Sequence, residues 1–366
     1  MKMLMIEYEN LYKLNKPFLS LYKKKFNSIL NKGWFILGDE VKLFEDEFAK
    51  YCGVKYCVGV ANCLDALVLS LKAFDFPEKS EIIVPSNTYI ATILAVINAG
   101  HIPVLVEPDI KTYNINENLI EEKISLNTKA IIPVHLYGRL CNMESIINIA
   151  KKFNLKIIED AAQAHGSSLN KKKAGSWGNI NAFSFYPTKN LGSLGDGGAI
   201  TTNEEALAEK VKILRNYGSK IKYHNILPGV NSRLDEVQAG FLRIKLQLLN
   251  NINSHKNKLA DIYNCELLDN KFIKPLNDKN YYNVYHIYNI RHNERDKLKK
   301  YLEDKGIKTD IHYPIPPNKQ DAMKGILDEH EYPISDEIHK TTLSLPISYF
   351  HSEKDILYIC KKLNKF

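Results

Sequence analysis

Two short segments hold the residues best suited to chemistry. The first is Ile157-Ile158-Glu159-Asp160-Ala161-Ala162-Gln163-Ala164-His165-Gly166, an apolar run that ends in two acids and meets small residues and a glutamine. A strand ending there would set Asp160 outside the carboxyl end of a sheet, where open α/β sheets gather ligands. Taken alone, Asp160 fits the cap of a following helix equally well. The second is Phe183-Ser184-Phe185-Tyr186-Pro187-Thr188-Lys189-Asn190-Leu191-Gly192, which puts a lysine just past another strand end. A lysine that forms an imine must be partly neutral, and burial depresses its pKa toward that condition. The glycines of Gly195-Asp196-Gly197-Gly198 match neither G-x-G-x-x-G nor the P-loop.

Together the segments say more than either does alone. Pyridoxal-phosphate (PLP) chemistry asks three things of a protein: a lysine for the imine, a carboxylate paired with the pyridinium nitrogen, and anchors for the phosphate. Lys189, Asp160 and Ser184 are of the right types: Asp160 and Lys189 fall at the ends of two separate candidate strands, with Ser184 nearby.

Those strands belong to a repeating pattern. Apolar runs at Tyr56–Ala61, Glu81–Pro85, Pro103–Glu107, Ala130–His135, Lys156–Glu159, Ala182–Tyr186 and Gly198–Thr202 alternate with helical stretches such as Glu144–Phe153. Thr202 and Glu205 have capping-box spacing ahead of a helix through Leu207, Val211 and Leu214. Alternating strand and helix, with strands apolar throughout, predicts an α/β fold with a mostly parallel sheet covered on both faces. After Asn250 the texture changes to a polar helix over Ser254–Leu268, a strand over Val284–Ile290, a helix over Arg295–Lys305 stopped by Gly306, a strand-like run at Ile311-His312-Tyr313 and a terminal helix starting at Ser352. Residues 1–250 then form a large cofactor-binding domain and 251–366 a small α+β domain, on which the first 20 or so residues are expected to pack.

The chain resembles the sugar aminotransferases of the DegT/DnrJ/StrS group, PLP enzymes of fold type I. The resemblance runs from Gly33-Trp34 through Asn231-Ser232-Arg233-Leu234-Asp235 to His312-Tyr313-Pro314 and Leu343-Ser344-Leu345-Pro346, and its most specific parts are the two segments above. It implies that Lys189 is the Schiff-base lysine and proton shuttle, and that Asp160 pairs with the pyridinium nitrogen. Gln163 would contact the ring near its phenolic oxygen, and Tyr89 would stack on it. Ser184 and the backbone amides of Cys63 and Leu64 would hold the phosphate. Asn231 would reach that phosphate from the partner subunit, so the active site would belong to a homodimer. Many relatives carry Asn-Gly-Thr where this chain has Asn62-Cys63-Leu64, so a threonine hydroxyl is missing while helix-opening N–H groups remain. A branch of the group with histidine at the Schiff-base position dehydrates; position 189 is lysine, which leaves transamination, with L-glutamate the expected donor.

Val106-Glu107-Pro108-Asp109-Ile110 and Ile311-His312-Tyr313-Pro314-Ile315-Pro316-Pro317 resemble the subgroup that aminates C-3 of dTDP-3-oxo-6-deoxyhexoses on the way to 3-acetamido-3,6-dideoxy sugars of surface glycans. There the positions matching Tyr186, His312 and Tyr313 contact the hexose; Lys222 and Tyr223 are candidates for the diphosphate. The alternatives are a C-4 aminotransferase acting on a 4-keto-6-deoxy nucleotide sugar and a non-catalytic PLP or nucleotide-sugar binding protein, against which the retained Lys189 and Asp160 argue.

Composition agrees with this class and excludes others. The 366 residues are 45% hydrophobic and 25% charged, ordinary values for a soluble protein. The net charge of +8 is spread through mixed segments such as Lys297-Leu298-Lys299-Lys300, which read as solvated helix faces; no nucleic-acid stripe is expected, and the balance suits an anionic substrate. Met1–Lys16 lacks the apolar core of a secretory signal, no run is long enough to span a membrane, and the six cysteines are scattered without C-x-x-C spacing. Reduced thiols, no metal site and a cytoplasmic location are expected.

Overall fold

The computed structural model describes residues 5–327 and 330–366, so the first four residues of the Met1–Lys16 stretch lie outside it. The described residues form a seven-stranded sheet from β1 (Tyr56–Val60), β2 (Glu81–Pro85), β3 (Ile102–Val106), β4 (Thr128–Ile131), β5 (Lys156–Asp160), β6 (Ile180–Ser184) and β7 (Gly198–Thr202). Their order across the sheet is β1-β7-β6-β5-β4-β2-β3, and every pairing is parallel except the two made by β7. Alternate residues point to opposite faces, as the pleat demands. Cys57, Ile83, Ile131, Ile157, Phe183 and Ala199 join one core, packed with the helices over Asp39–Cys52, Met143–Lys152 and Glu236–Leu246. Val58, Ile82, Val84, Ala130, Ile158, Ala182 and Ile200 join the other, under the Cys63–Ala73, Ile90–Asn98 and Glu205–Leu214 helices. Burial on both faces explains why these strands read as unbroken apolar runs.

A third core lies in the C-terminal residues. Strands β8 (Tyr288–Arg291) and β9 (Thr342–Leu345) pair antiparallel, and Ile290, Leu343 and Leu345 pack with Leu298, Leu302, Ile356 and Ile359 of two helices. Ile6 belongs to this core and bridges to Ile307. One continuous helix, Leu249–Glu266, joins the two packing units: Leu249 is in the core under the sheet, while Leu259, Ala260 and Tyr263 are in the C-terminal one.

Several expectations need correction. The strand expected at Val284–Ile290 is only Tyr288–Arg291. Tyr285 adopts a left-handed φ of 44°, and the carbonyls of Val284 and His286 are taken by the side chains of Asn190 and Lys256 rather than by a strand. No strand forms at Ile311-His312-Tyr313; Tyr137 OH donates to the His312 carbonyl. The strand expected over Ala130–His135 is continuous only to Ile131; Pro133, which has no N–H to give, interrupts it, and Val134 pairs with Asp160 only as an isolated bridge. Thr202 caps no helix: it ends β7, its hydroxyl donates to the Asn179 carbonyl at 2.6 Å, and the helix begins at Glu205 without a side-chain cap. The capping box at Ser352 and Asp355 does form.

Candidate active site

The sheet brings its working residues to one edge. Strands β5 and β6 run parallel and end at Asp160 and Ser184. Because β7 runs against its neighbours, its first residue, Gly198, meets Ser184 on one side and Val60 at the end of β1 on the other. A Cβ at Gly198 would lie 2.5 Å from the Asn62 carbonyl carbon, so glycine is what lets the start of the Cys63–Ala73 helix sit against the sheet. These ends surround a cavity of about 570 Å³, closed on the far side by His286, His312 and Tyr313 of the C-terminal part.

Asp160 is 6% exposed. Its Oδ2 accepts from Thr92 Oγ1 at 2.8 Å and its Oδ1 from the Ala162 N–H at 3.1 Å. The single Thr92 hydroxyl hydrogen is thus committed, so Thr88, 2.8 Å away, donates to Thr92 and the relay has one direction. Burial raises the Asp160 pKa against these donors and the nearby Lys189, so a cation placed at this carboxylate would find a strong electrostatic partner. No helix follows Asp160, which sets aside its reading as a helix cap. Its neighbour Glu159 turns to the opposite face. There it accepts from the N–H groups of Gly175, Trp177 and Gly178 and pairs with His135 at 2.8 Å. Burial opposes its charge, but His135 and the backbone donors prevail and hold its carboxyl below the usual range.

Lys189 sits in the turn after β6, its own N–H bonded to the Tyr186 carbonyl at 2.8 Å. Burial brings its ammonium down to about 8, against Cys63 and Asp160, which favour the charged form. Its Nζ lies 3.3 Å from His286 Nε2. Gln163 is fixed by two bonds, accepting from the Tyr137 N–H at 2.6 Å and donating to Tyr313 OH at 3.1 Å. The Tyr313 ring lies 5.2 Å from that of Tyr89, and His312 is held by Ser344 at 2.8 Å. Burial lowers His312 to about 4, with Asp310 opposing, so its ring is neutral near pH 7.

An anion cradle completes the cavity. Asn62 caps its helix by accepting from the Asp65 N–H at 2.8 Å. That leaves the first two helical N–H groups, on Cys63 and Leu64, without intrahelical partners, as at any helix start. Both residues line the cavity, as does Ser184.

Of the residues singled out in the sequence, Lys189, Asp160, Gln163, Ser184, Tyr89, Cys63, Leu64, Tyr186, His312 and Tyr313 all line this one cavity. Asn231, Lys222 and Tyr223 do not: they are exposed, in and after a hairpin whose strands are Ser219–Ile221 and His224–Asn225. Thr92, Tyr137 and His286 were missed, being single polar residues inside stretches that read as helix, strand or loop. An amine, a carboxylate, two free N–H groups and a hydroxyl around one cavity are the set of groups PLP requires, so the residues present fit the cofactor.

Fold and site together define a pyridoxal-phosphate aminotransferase, and the comparisons agree. Residues 20–364 match the DegT/DnrJ/EryC1/StrS aminotransferase family. A dTDP-3-amino-3,6-dideoxy-alpha-D-galactopyranose transaminase from Aneurinibacillus thermoaerophilus is 51% identical over 363 residues, 99% of each chain. The crystal structure of S. venezuelae DesV in complex with a ketimine intermediate matches with a TM-score of 0.96 at 37% identity, covering 99% of this chain and 98% of that one. Bacillus subtilis NtdA with bound cofactor PMP matches at 0.92 and 28% identity, over 100% and 86%. The chain belongs to the DegT/DnrJ/EryC1/StrS aminotransferase family. No helix among the described residues is long and apolar enough to cross a membrane.

Proposed function

We propose that this protein transfers an amino group from L-glutamate to C-3 of a dTDP-3-oxo-6-deoxyhexose, supplying 3-amino-3,6-dideoxy sugars for surface glycans in the cytoplasm. The observation that carries the reading is the 51% identity, over 99% of both chains, to a transaminase named for a dTDP-3-amino-3,6-dideoxy sugar. The galacto configuration in that name sets the first substrate to try.

When bound, PLP supplies an aldehyde carbon that carries nitrogen and a ring that takes up electrons from the substrate carbon. The chain does the rest. Asp160, held by Thr92 and Ala162, would pair with the ring nitrogen and keep its proton in place. Lys189, brought down to about 8, moves a proton to or from the reacting carbon in both halves of the reaction. Ser184 and the N–H groups of Cys63 and Leu64 would hold the phosphate, Tyr89 would cover the ring face, and Gln163 would hydrogen-bond beside the phenolic oxygen. Tyr186, neutral His312 and Tyr313 receive the hexose, offering hydrogen bonds and flat apolar faces to a 6-deoxy sugar. His312→Asn is expected to slow amination of the keto-sugar about tenfold or more while leaving the glutamate half-reaction within about twofold. Equal losses in both halves, measured by single-turnover absorbance, would remove His312 from the sugar end.

A second copy completes the site in this reading. Asn231 is exposed outside its own chain's cavity, and Tyr217, Tyr223 and Ile226 of the preceding segment are exposed as well. Asn231, with Lys222 and Tyr223, serves the phosphates bound by a partner subunit in a homodimer. Mixing inactive Lys189→Ala subunits with inactive Asn231→Ala subunits is then expected to restore activity, because one hybrid site draws Lys189 and Asn231 from unmutated copies. With subunit exchange verified by mass, absence of any restored turnover would count against the shared site.

A further inference from the structure

The contact between Lys189 and His286 is built rather than incidental. Both side chains are half-buried at the cavity wall, with Lys189 Nζ 3.3 Å from His286 Nε2. Around them a second set of bonds ties the same two segments together. Asn190, the residue after the lysine, donates to the Val284 carbonyl at 2.9 Å. Lys256, itself 5% exposed, donates to Asn190 Oδ1 at 2.8 Å and to the His286 carbonyl at 3.2 Å. One buried ammonium therefore fixes the lysine turn and the histidine backbone relative to each other, independently of the Nζ–Nε2 contact.

We propose that His286 is a positioning residue for Lys189, receiving its amine at Nε2 and holding it at the cavity wall above the strand ends. An ammonium can only donate, so Nε2 is the acceptor and the ring proton resides on Nδ1. Nδ1 is buried and meets no partner among the described residues, so nothing else fixes the ring's protonation. Burial, joined by the charges of Lys189 and Lys256, keeps the imidazole neutral and so able to accept. The role is to hold the amine in one orientation whenever it is free to move a proton; His286 touches neither ring nor sugar in this account. It rests on the reading of Lys189 as the cofactor lysine.

The test uses the full-length chain freed of cofactor and follows PLP capture by absorbance from pH 6 to 10, with His286→Gln and His286→Asn beside the parent. Glutamine carries an acceptor to about the reach of Nε2; asparagine does not. In His286→Asn the plateau rate of capture is expected to fall about tenfold. Its pH midpoint should move down, because an acceptor that favours the ammonium has been lost. His286→Gln should stay within about threefold of the parent with its midpoint in place. Asparagine and glutamine variants that behave alike, or an unmoved midpoint in His286→Asn, would overturn the proposal. Lys189→Ala serves as the control: covalent capture that persists there would sink the assignment of Lys189 itself, which none of the His286 outcomes does.

Discussion

Lys189→Ala is expected to abolish turnover, by about 10⁴-fold or more, and to end the covalent fixing of PLP by borohydride. The size follows from two losses at one position, the amine that holds the cofactor and the group that moves the proton. Because the ammonium is brought down to about 8 and the neutral amine is the base, the rate of the proton-moving step should rise with pH and level off above that value. The alanine variant should show no such rise. The cavity should survive, since Asp160 and the Cys63 and Leu64 N–H groups are held by contacts that do not involve the lysine side chain. Reversible PLP binding by the variant is therefore expected. A covalent adduct after borohydride treatment would mean that another amine is the true attachment point.

Asp160→Asn should be the second largest loss, about 10²–10³-fold in rate, with the cofactor retained. The amide has nearly the same shape and can keep Thr92 as a donor, but it carries no charge to hold a proton on the ring nitrogen. Since burial raises the Asp160 pKa, the parent enzyme should lose activity as pH falls through that raised value and the carboxylate is neutralised. The asparagine variant should lack that acidic limb. Near-normal turnover in Asp160→Asn, measured as the single-turnover rate with glutamate, would rule out the charge as the source of catalysis.

The part of this site legible in the sequence is the part carried by strand ends. Asp160 follows one apolar run and Lys189 another, so the alternation of strand and helix set both at strand ends; Ser184, inside the run expected at Ala182–Tyr186, instead closes a strand that spans Ile180–Ser184. Glu81–Pro85 and Gly198–Thr202 were bounded correctly because both faces of those strands are buried and nothing competes for their backbone groups. Val284–Ile290 looked equally strand-like, yet its carbonyls go to Asn190 and Lys256 from remote parts of the chain, which no local pattern reveals. His286 was missed for the same reason. Its chemistry arises from a tertiary clamp rather than from its neighbours in sequence. Thr92 was hidden in an apolar helix, Ile90–Asn98, where a threonine reads as filler until its hydroxyl is seen at Asp160.

Amination at C-3 rather than C-4 is decided by which carbon lies within about 3–3.5 Å of the cofactor's reactive carbon. The direct measurement is turnover of the glutamate-loaded enzyme with matched 3-keto and 4-keto dTDP-6-deoxyhexoses, the 3-keto sugar tried in both C-4 configurations, with products identified by NMR. Rapid formation of the 3-amino sugar, with the 4-keto isomer slower by about 100-fold or more, is the predicted result. Efficient amination of the 4-keto sugar with none of the 3-keto isomers would contradict it.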